Sequence, residues 1–376
     1  MDKKEILSIY QNEYYGQWRT GEKVFYKIEN IPENTPIPSP FPWFKMPENY
    51  TSPKRKLFTI SVEVNGKKIE FSVQVYLPSF SAGFEDKDKI FQKGNPFVVS
   101  FHPIEPLETF LNAGYAVIVF TDYCSSIAQD NNLRKGAFYD LYPYSEKPET
   151  QTGVLMAWSW GASKILDALY NGAAKELFLD PEASIITGVS RWGKAAAVCG
   201  AFENRFKMVA PSCSGAGGLA QFTYVSEGTT YDFSSKGGPA SYTYTKNEPL
   251  GSLQSKDEQG WFNGKFLTYQ SEEQLPLNQE NLINVCADKN RFYFMIGSCI
   301  NEDWVNAPAM WETFKKAYQY YKELKLESNL AQNIHLSGHA VIQEDAQKII
   351  AFFNQKVYGK NSKIKIDREK SIFGEI

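Results

Sequence analysis

The chain of 376 residues carries 40 lysines and arginines against 43 aspartates and glutamates, a formal net charge of −3 at pH 7, with 43% hydrophobic and 15% aromatic side chains. That balance, with no polybasic run, lacks the electrostatic footprint of a nucleic-acid binder or of a protein held on an anionic membrane, and no apolar stretch approaches the length of a membrane span. So high an aromatic share suits a thick core or a cleft that stacks on sugars.

Residues 1–55 show little periodicity, and the seven prolines from Pro32 to Pro53 predict an extended arm laid over the remainder. The opening Met1–Tyr10 is charged and lacks the apolar core and small-residue site of a secretory leader. The five cysteines (Cys124, Cys199, Cys213, Cys286, Cys299) are odd in number and show no C-x-x-C spacing, which fits reduced thiols. The expected location is therefore the cytoplasm. Residues 56–376 are expected to form one domain around a single sheet, with 219–280 as a polar cap or loop insertion.

Phe58–Val64 and Ile69–Leu77 alternate as strands and meet at Asn65-Gly66, a type I′ hairpin signal. Pro96–Phe101 and Tyr115–Phe120 are continuous apolar runs, the pattern of central parallel strands buried on both faces. His102 follows the first of them and reads either as pocket lining or as a structural residue. Thr152–Tyr170 is a helix, with apolar residues recurring at Val154, Trp158, Ile165 and Leu169.

Ala183–Cys199 reads as a short strand, a tight turn and a helix, with Ser190 at the turn between Gly188 and Gly193. Such an elbow exposes a serine Oγ above the sheet and points helix-start N–H groups at a developing oxyanion. Phe206–Gly218 is a further strand and a glycine-rich turn that lacks the G-K-[ST] of a phosphate loop. Arg291–Gly297 is the next strand and runs into Ser298–Trp304, where Glu302 and Asp303 stand in the place most α/β-hydrolases give their acid. Asn333–Phe353 supplies a short strand, a loop and an amphipathic helix.

Only three histidines, His102, His335 and His339, are present. The chain order Ser, acid, His of this fold excludes His102 as the base. His335 lies within an apolar strand, whereas His339 follows Gly338 in a loop, so His339 is the candidate base for Ser190. No metal or cofactor is expected, since histidines are few and neither H-E-x-x-H nor paired-cysteine spacing occurs.

Gly188-Val-Ser-Arg-Trp-Gly-Lys194 resembles the G-x-S-R-x-G-K signature of the glucuronoyl esterases, carbohydrate esterase family 15. Ala157-Trp-Ser-Trp-Gly161, Glu258 to Tyr269, Leu275 to Gln279 and Gly338 to Asp345 resemble further family segments in the same order, from about Phe97 to Phe353. The resemblance implies an α/β-hydrolase fold, a three-layer sandwich whose mostly parallel sheet is opened by an antiparallel hairpin. It implies that Arg191 assists the oxyanion hole, that Lys194 and Glu258 contact sugar hydroxyls, and that Trp304 lies near the sugar. Most members carry a triad glutamate where this chain has Cys213, which leaves Glu302 and Asp303 as replacements. The implied activity is hydrolysis of glucuronic acid esters, of the 4-O-methyl-glucuronoyl type found between xylan and lignin. The substrate is then a small carbohydrate ester. A carbohydrate acetyl esterase of the same fold and a non-catalytic uronate-binding relative are the competing readings.

Overall fold

The computed structural model describes residues 1–32, 35, 54–78, 93–103, 106–120, 123–124 and 134–376. Nine strands build its main sheet: β1 (Lys23–Asn30), β2 (Arg55–Val64), β3 (Lys67–Tyr76), β4 (Asn95–Ser100), β5 (Ala116–Val119), β6 (Leu179–Val189), β7 (Met208–Ser212), β8 (Phe292–Ser298) and β9 (Leu330–His335). They lie in the order β1-β2-β3-β5-β4-β6-β7-β8-β9. The first three are antiparallel, β3 meets β5 antiparallel, and every pair from β5 to β9 is parallel. This is the α/β-hydrolase arrangement, with helices on both sides.

The β2–β3 hairpin turns as its sequence requires. Asn65 and Gly66 have φ of 50° and 74°, the two positive values of a type I′ turn, and Val64 pairs with Lys67 across it. Every residue of β4 and β5 is buried, as expected for strands covered on both faces.

The principal helices are α1 (Lys3–Tyr10), α2 (Leu107–Asn112), α3 (Val154–Ala168), α4 (Arg191–Phe202), α5 (Ala307–Glu323) and α6 (Gln343–Tyr358). Nearly all of α3 is buried, including both tryptophans. Trp158 Nε1 donates to the Cys124 carbonyl at 3.0 Å and Trp160 Nε1 to Glu22 at 2.9 Å. The tryptophan pair thus packs and fastens the helix.

The amino-terminal segment differs from the extended arm expected of it. Residues 3–10 are helical, and a further turn, Gln11–Tyr15, brings Tyr10, Tyr14 and Tyr15 into the core with no exposed surface. Their hydroxyls donate to the carbonyls of Asn278, Leu277 and Gly217. β1 then adds an edge strand beside β2. The eight-residue helix is too short and too charged for a clear periodic signal. The proline-rich stretch 36–53 lies outside the described residues. Residues 219–280 contain short helical turns and a two-residue ladder, Thr230–Tyr231 with Tyr242–Thr243. All five cysteines are buried and free. Among the described residues no helix is long and apolar enough to cross a membrane.

Candidate active site

Ser190 stands between β6 and α4 with φ 64° and ψ −129°. A non-glycine residue held there stores of order 1–3 kcal/mol of strain, and such outliers gather at functional sites. Glycine lets the turn close: a Cβ on Gly193 would lie 2.3 Å from the Ser212 carbonyl oxygen, and one on Gly188 would lie 2.5 Å from that of Trp192. The Ser190 N–H donates to Ser212 O at 3.0 Å, and its carbonyl accepts from Lys194 N at 2.9 Å.

His339 sits on the loop between β9 and α6. The Asp345 carboxylate accepts from Ile342 N at 2.8 Å and from Asn333 Nδ2 at 2.7 Å, which fixes the far end of that loop. Ser298 Oγ donates to the Ser337 carbonyl, and Ser212 Oγ to the Ala340 carbonyl at 3.3 Å. Ser212 therefore ties the loop to the serine elbow, since its own carbonyl holds the Ser190 N–H. His335 is buried, with Nε2 3.3 Å from Asp345, and belongs to this scaffold.

The two acid candidates part company. Glu302 Oε2 lies 2.7 Å from His339 Nδ1, an ion-pair distance, although the ring N–H is not lined up on that oxygen. Asp303 faces away: one oxygen accepts from Tyr242 OH at 2.6 Å and the other from Thr245 N and Oγ1 at 2.8 Å. These bonds hold its carboxyl below the usual range despite partial burial. Asp303 thus anchors the short ladder and does not meet the imidazole. Cys213 is wholly buried. Burial pushes its thiol up to about 12, so it stays protonated and carries no charge for a histidine.

Four positions after Ser190, on the same face of α4, Lys194 is only 1% exposed. Its Nζ donates to Glu248 Oε2 at 2.7 Å and to the Ala216 carbonyl at 2.5 Å. An ammonium has three donors, so one has no partner among the described residues. Burial pushes the Glu248 carboxyl up, while Lys194 draws it down. Glu258 Oε2 is buried without a hydrogen-bond partner among the described residues. Its carboxyl is raised to about 7, first by burial and then by Glu248. The cations Arg191 and Lys194 lie 5.4 and 5.5 Å from the centre of the Trp261 ring. Trp304 stands 4.9 Å from the His339 ring, and its carbonyl accepts from Glu248 N at 3.1 Å.

The elbow, the histidine loop and this charged cluster share one end of the sheet. Glu248 and Trp261 are additions to the residues singled out from sequence. Trp261 belongs to a segment already flagged, whereas Glu248 lies in a long polar loop where no periodicity or motif marks it. The described residues contain no cluster of ligands fit for a metal ion.

Residues 60–325 match the family model for glucuronyl esterases of fungi. A multidomain esterase of Ruminococcus flavefaciens is 45% identical over 99% of this chain and 45% of its own length. A 4-O-methyl-glucuronoyl methylesterase of Hypocrea jecorina is 28% identical over 79% of this chain and 57% of its own length. The chain spans about half the length of these curated relatives. Among solved structures, a carbohydrate esterase family 15 glucuronoyl esterase from Caldicellulosiruptor kristjansonii superposes with a TM-score of 0.77 at 32% identity, over 97% of this chain and 89% of that one. The catalytic domain from Hypocrea jecorina gives 0.67 at 22% identity, over 96% and 84%.

Proposed function

The chain belongs to the glucuronoyl esterase family, and we propose that it is a serine esterase cleaving the ester between a glucuronic acid carboxyl group and an alcohol. Members of this family are carboxylic ester hydrolases. The observation that carries the proposal is the tie through Ser212 between the strained Ser190 elbow and a histidine loop whose imidazole has Glu302 at 2.7 Å.

In this reading Ser190 Oγ attacks the ester carbonyl as His339 takes its proton. His339 then returns the proton to the departing alcohol, and a water molecule repeats both steps on the acyl-enzyme. Glu302 orients the imidazole and offsets its transient positive charge. Arg191, beside the nucleophile, stabilises the tetrahedral oxyanion. The third donor of Lys194 and the unpaired Glu258 oxygen bind sugar hydroxyls, and Trp304 forms a wall of the sugar site. A 4-O-methylated glucuronate esterified to a lignin alcohol is the natural substrate this predicts.

The test is hydrolysis of benzyl glucuronate by the wild type and by Ser190→Ala, beside release of acetate from acetylated xylo-oligosaccharides. Serine-dependent cleavage of the glucuronate ester, faster than deacetylation, is expected. Preferential deacetylation would overturn the substrate assignment, and an inert wild type that still binds glucuronate would make the protein a lectin-like relative.

A further inference from the structure

Resting on the esterase reading above, we propose that the side chain of His102 is a catalytic residue, donating a hydrogen bond from Nδ1 to the oxyanion formed when Ser190 attacks. The sheet register puts it in place. Ser100 pairs with Thr187, and the Phe101 N–H continues the ladder to the Thr187 carbonyl at 3.4 Å. Carried two residues past Ser100, the same register would bring His102 level with Val189, next to Ser190. The loop after this strand is where α/β-hydrolases place the second half of the oxyanion hole.

The ring is held there. It stacks on Trp192, the second residue after the nucleophile, with centroids 4.8 Å apart and planes within 14°. The His102 carbonyl also accepts from Ser100 Oγ at 2.5 Å. Nδ1 is nevertheless buried with no hydrogen-bond partner among the described residues. A buried polar atom left unpaired is costly to the folded state. A ligand oxygen arriving at the elbow would relieve that cost at the moment of reaction.

Charge separates its role from that of His339. Burial, and then the nearby His339, lowers His102 to about 3, so the ring stays neutral across any working range. A neutral imidazole carries one N–H, which the proposed role requires on Nδ1, and does not compete for the serine proton. The carboxylate of Glu302 is already committed to His339. As the Oγ–C bond forms, the carbonyl π pair moves onto oxygen and the serine proton passes to His339. His102 donates to that oxygen while keeping its proton. When the intermediate collapses, the carbonyl re-forms and the alcohol leaves with the proton from His339.

Removing one oxyanion donor typically lowers kcat by about 10²–10³-fold. His102→Phe keeps a flat ring over Trp192 and deletes the donor, whereas His102→Asn restores an N–H near the Nδ1 position. Each is assayed on benzyl glucuronate, with kcat normalised to sites titrated by a serine-directed fluorophosphonate, so a poorly folding variant is scored on its folded fraction. We expect His102→Phe to lose about a hundredfold in kcat with KM within about threefold, and His102→Asn to recover at least about a tenth of the wild-type rate. A His102→Phe variant within about threefold of wild type, a loss confined to KM, or an asparagine no better than phenylalanine would overturn the assignment and leave the esterase reading intact. A wild type unable to cleave the ester would overturn both.

Discussion

Replacing Glu302 with glutamine keeps the shape of the side chain and removes the charge facing His339. Two unit charges 2.7 Å apart attract by about 6 kcal/mol at an effective dielectric of about 20. That figure is a ceiling, because the His339 side chain is 27% exposed and solvent screens the pair. The corresponding substitution in a well-studied triad lowers kcat by about 10⁴-fold, or about 5.5 kcal/mol. Glu302→Gln should therefore lose between about 10² and 10⁴ in kcat on benzyl glucuronate, with KM little changed. Asp303→Asn is the matched neighbour. Its carboxylate binds Tyr242 and Thr245, so turnover should stay within about fivefold of wild type while the melting temperature falls. Should Glu302→Gln keep more than about a tenth of its turnover, or Asp303→Asn fall as far, the acid would lie elsewhere.

Lys194→Met strands Glu248 in the interior, where breaking a buried ion pair costs about 3–5 kcal/mol; urea denaturation should show this, and adding Glu248→Leu should restore much of it. A double variant as unstable as Lys194→Met would refute the pairing argument. Glu258 is raised in the folded state from 4.5 to about 7, so the native chain binds more protons between those values and its stability falls as pH rises through that window. Glu258→Gln should flatten this trend, standing above wild type in denaturation midpoint at pH 8 relative to their difference at pH 5; parallel profiles would contradict it. Gly193→Ala forces a methyl group to 2.3 Å from the Ser212 carbonyl and should destabilise by about 2 kcal/mol or more, with loss of esterase activity. Unchanged thermal unfolding would show that the elbow relaxes more easily than its geometry implies.

What could be read from the chain before its structure follows from how local each determinant is. The turn at Asn65-Gly66 and the buried runs of β4 and β5 are written in adjacent residues, because turn chemistry and burial on both faces leave short-range patterns. Ser190 stands out as the candidate nucleophile through its two flanking glycines, and His339 as the candidate base through the scarcity of histidines together with chain order. Glu302 and Asp303 could not be separated in that way. They are neighbours at the start of one helical turn, Asp303–Val305, and only the path of that turn sends one carboxylate to the imidazole and the other to Tyr242. Glu248 is more remote still, since its meaning depends on Lys194, 54 residues away.

The cysteine at position 213, where the family resemblance implies a glutamate, has a similar explanation in topology. β7 and β8 are adjacent parallel strands: Ser212 pairs with Ile296, and the Cys213 N–H donates to the Ile296 carbonyl at 3.0 Å. The segments leaving these two strands consequently emerge side by side beneath the loop that carries His339. In the proposed mechanism the acid can approach the imidazole from either exit, and the turn after β8 brings Glu302 to 2.7 Å from His339 Nδ1. Two ionised carboxylates there would share one imidazole and repel each other in a partly buried space. A neutral, buried thiol at Cys213 avoids that repulsion and leaves Glu302 as the carboxyl group beside His339.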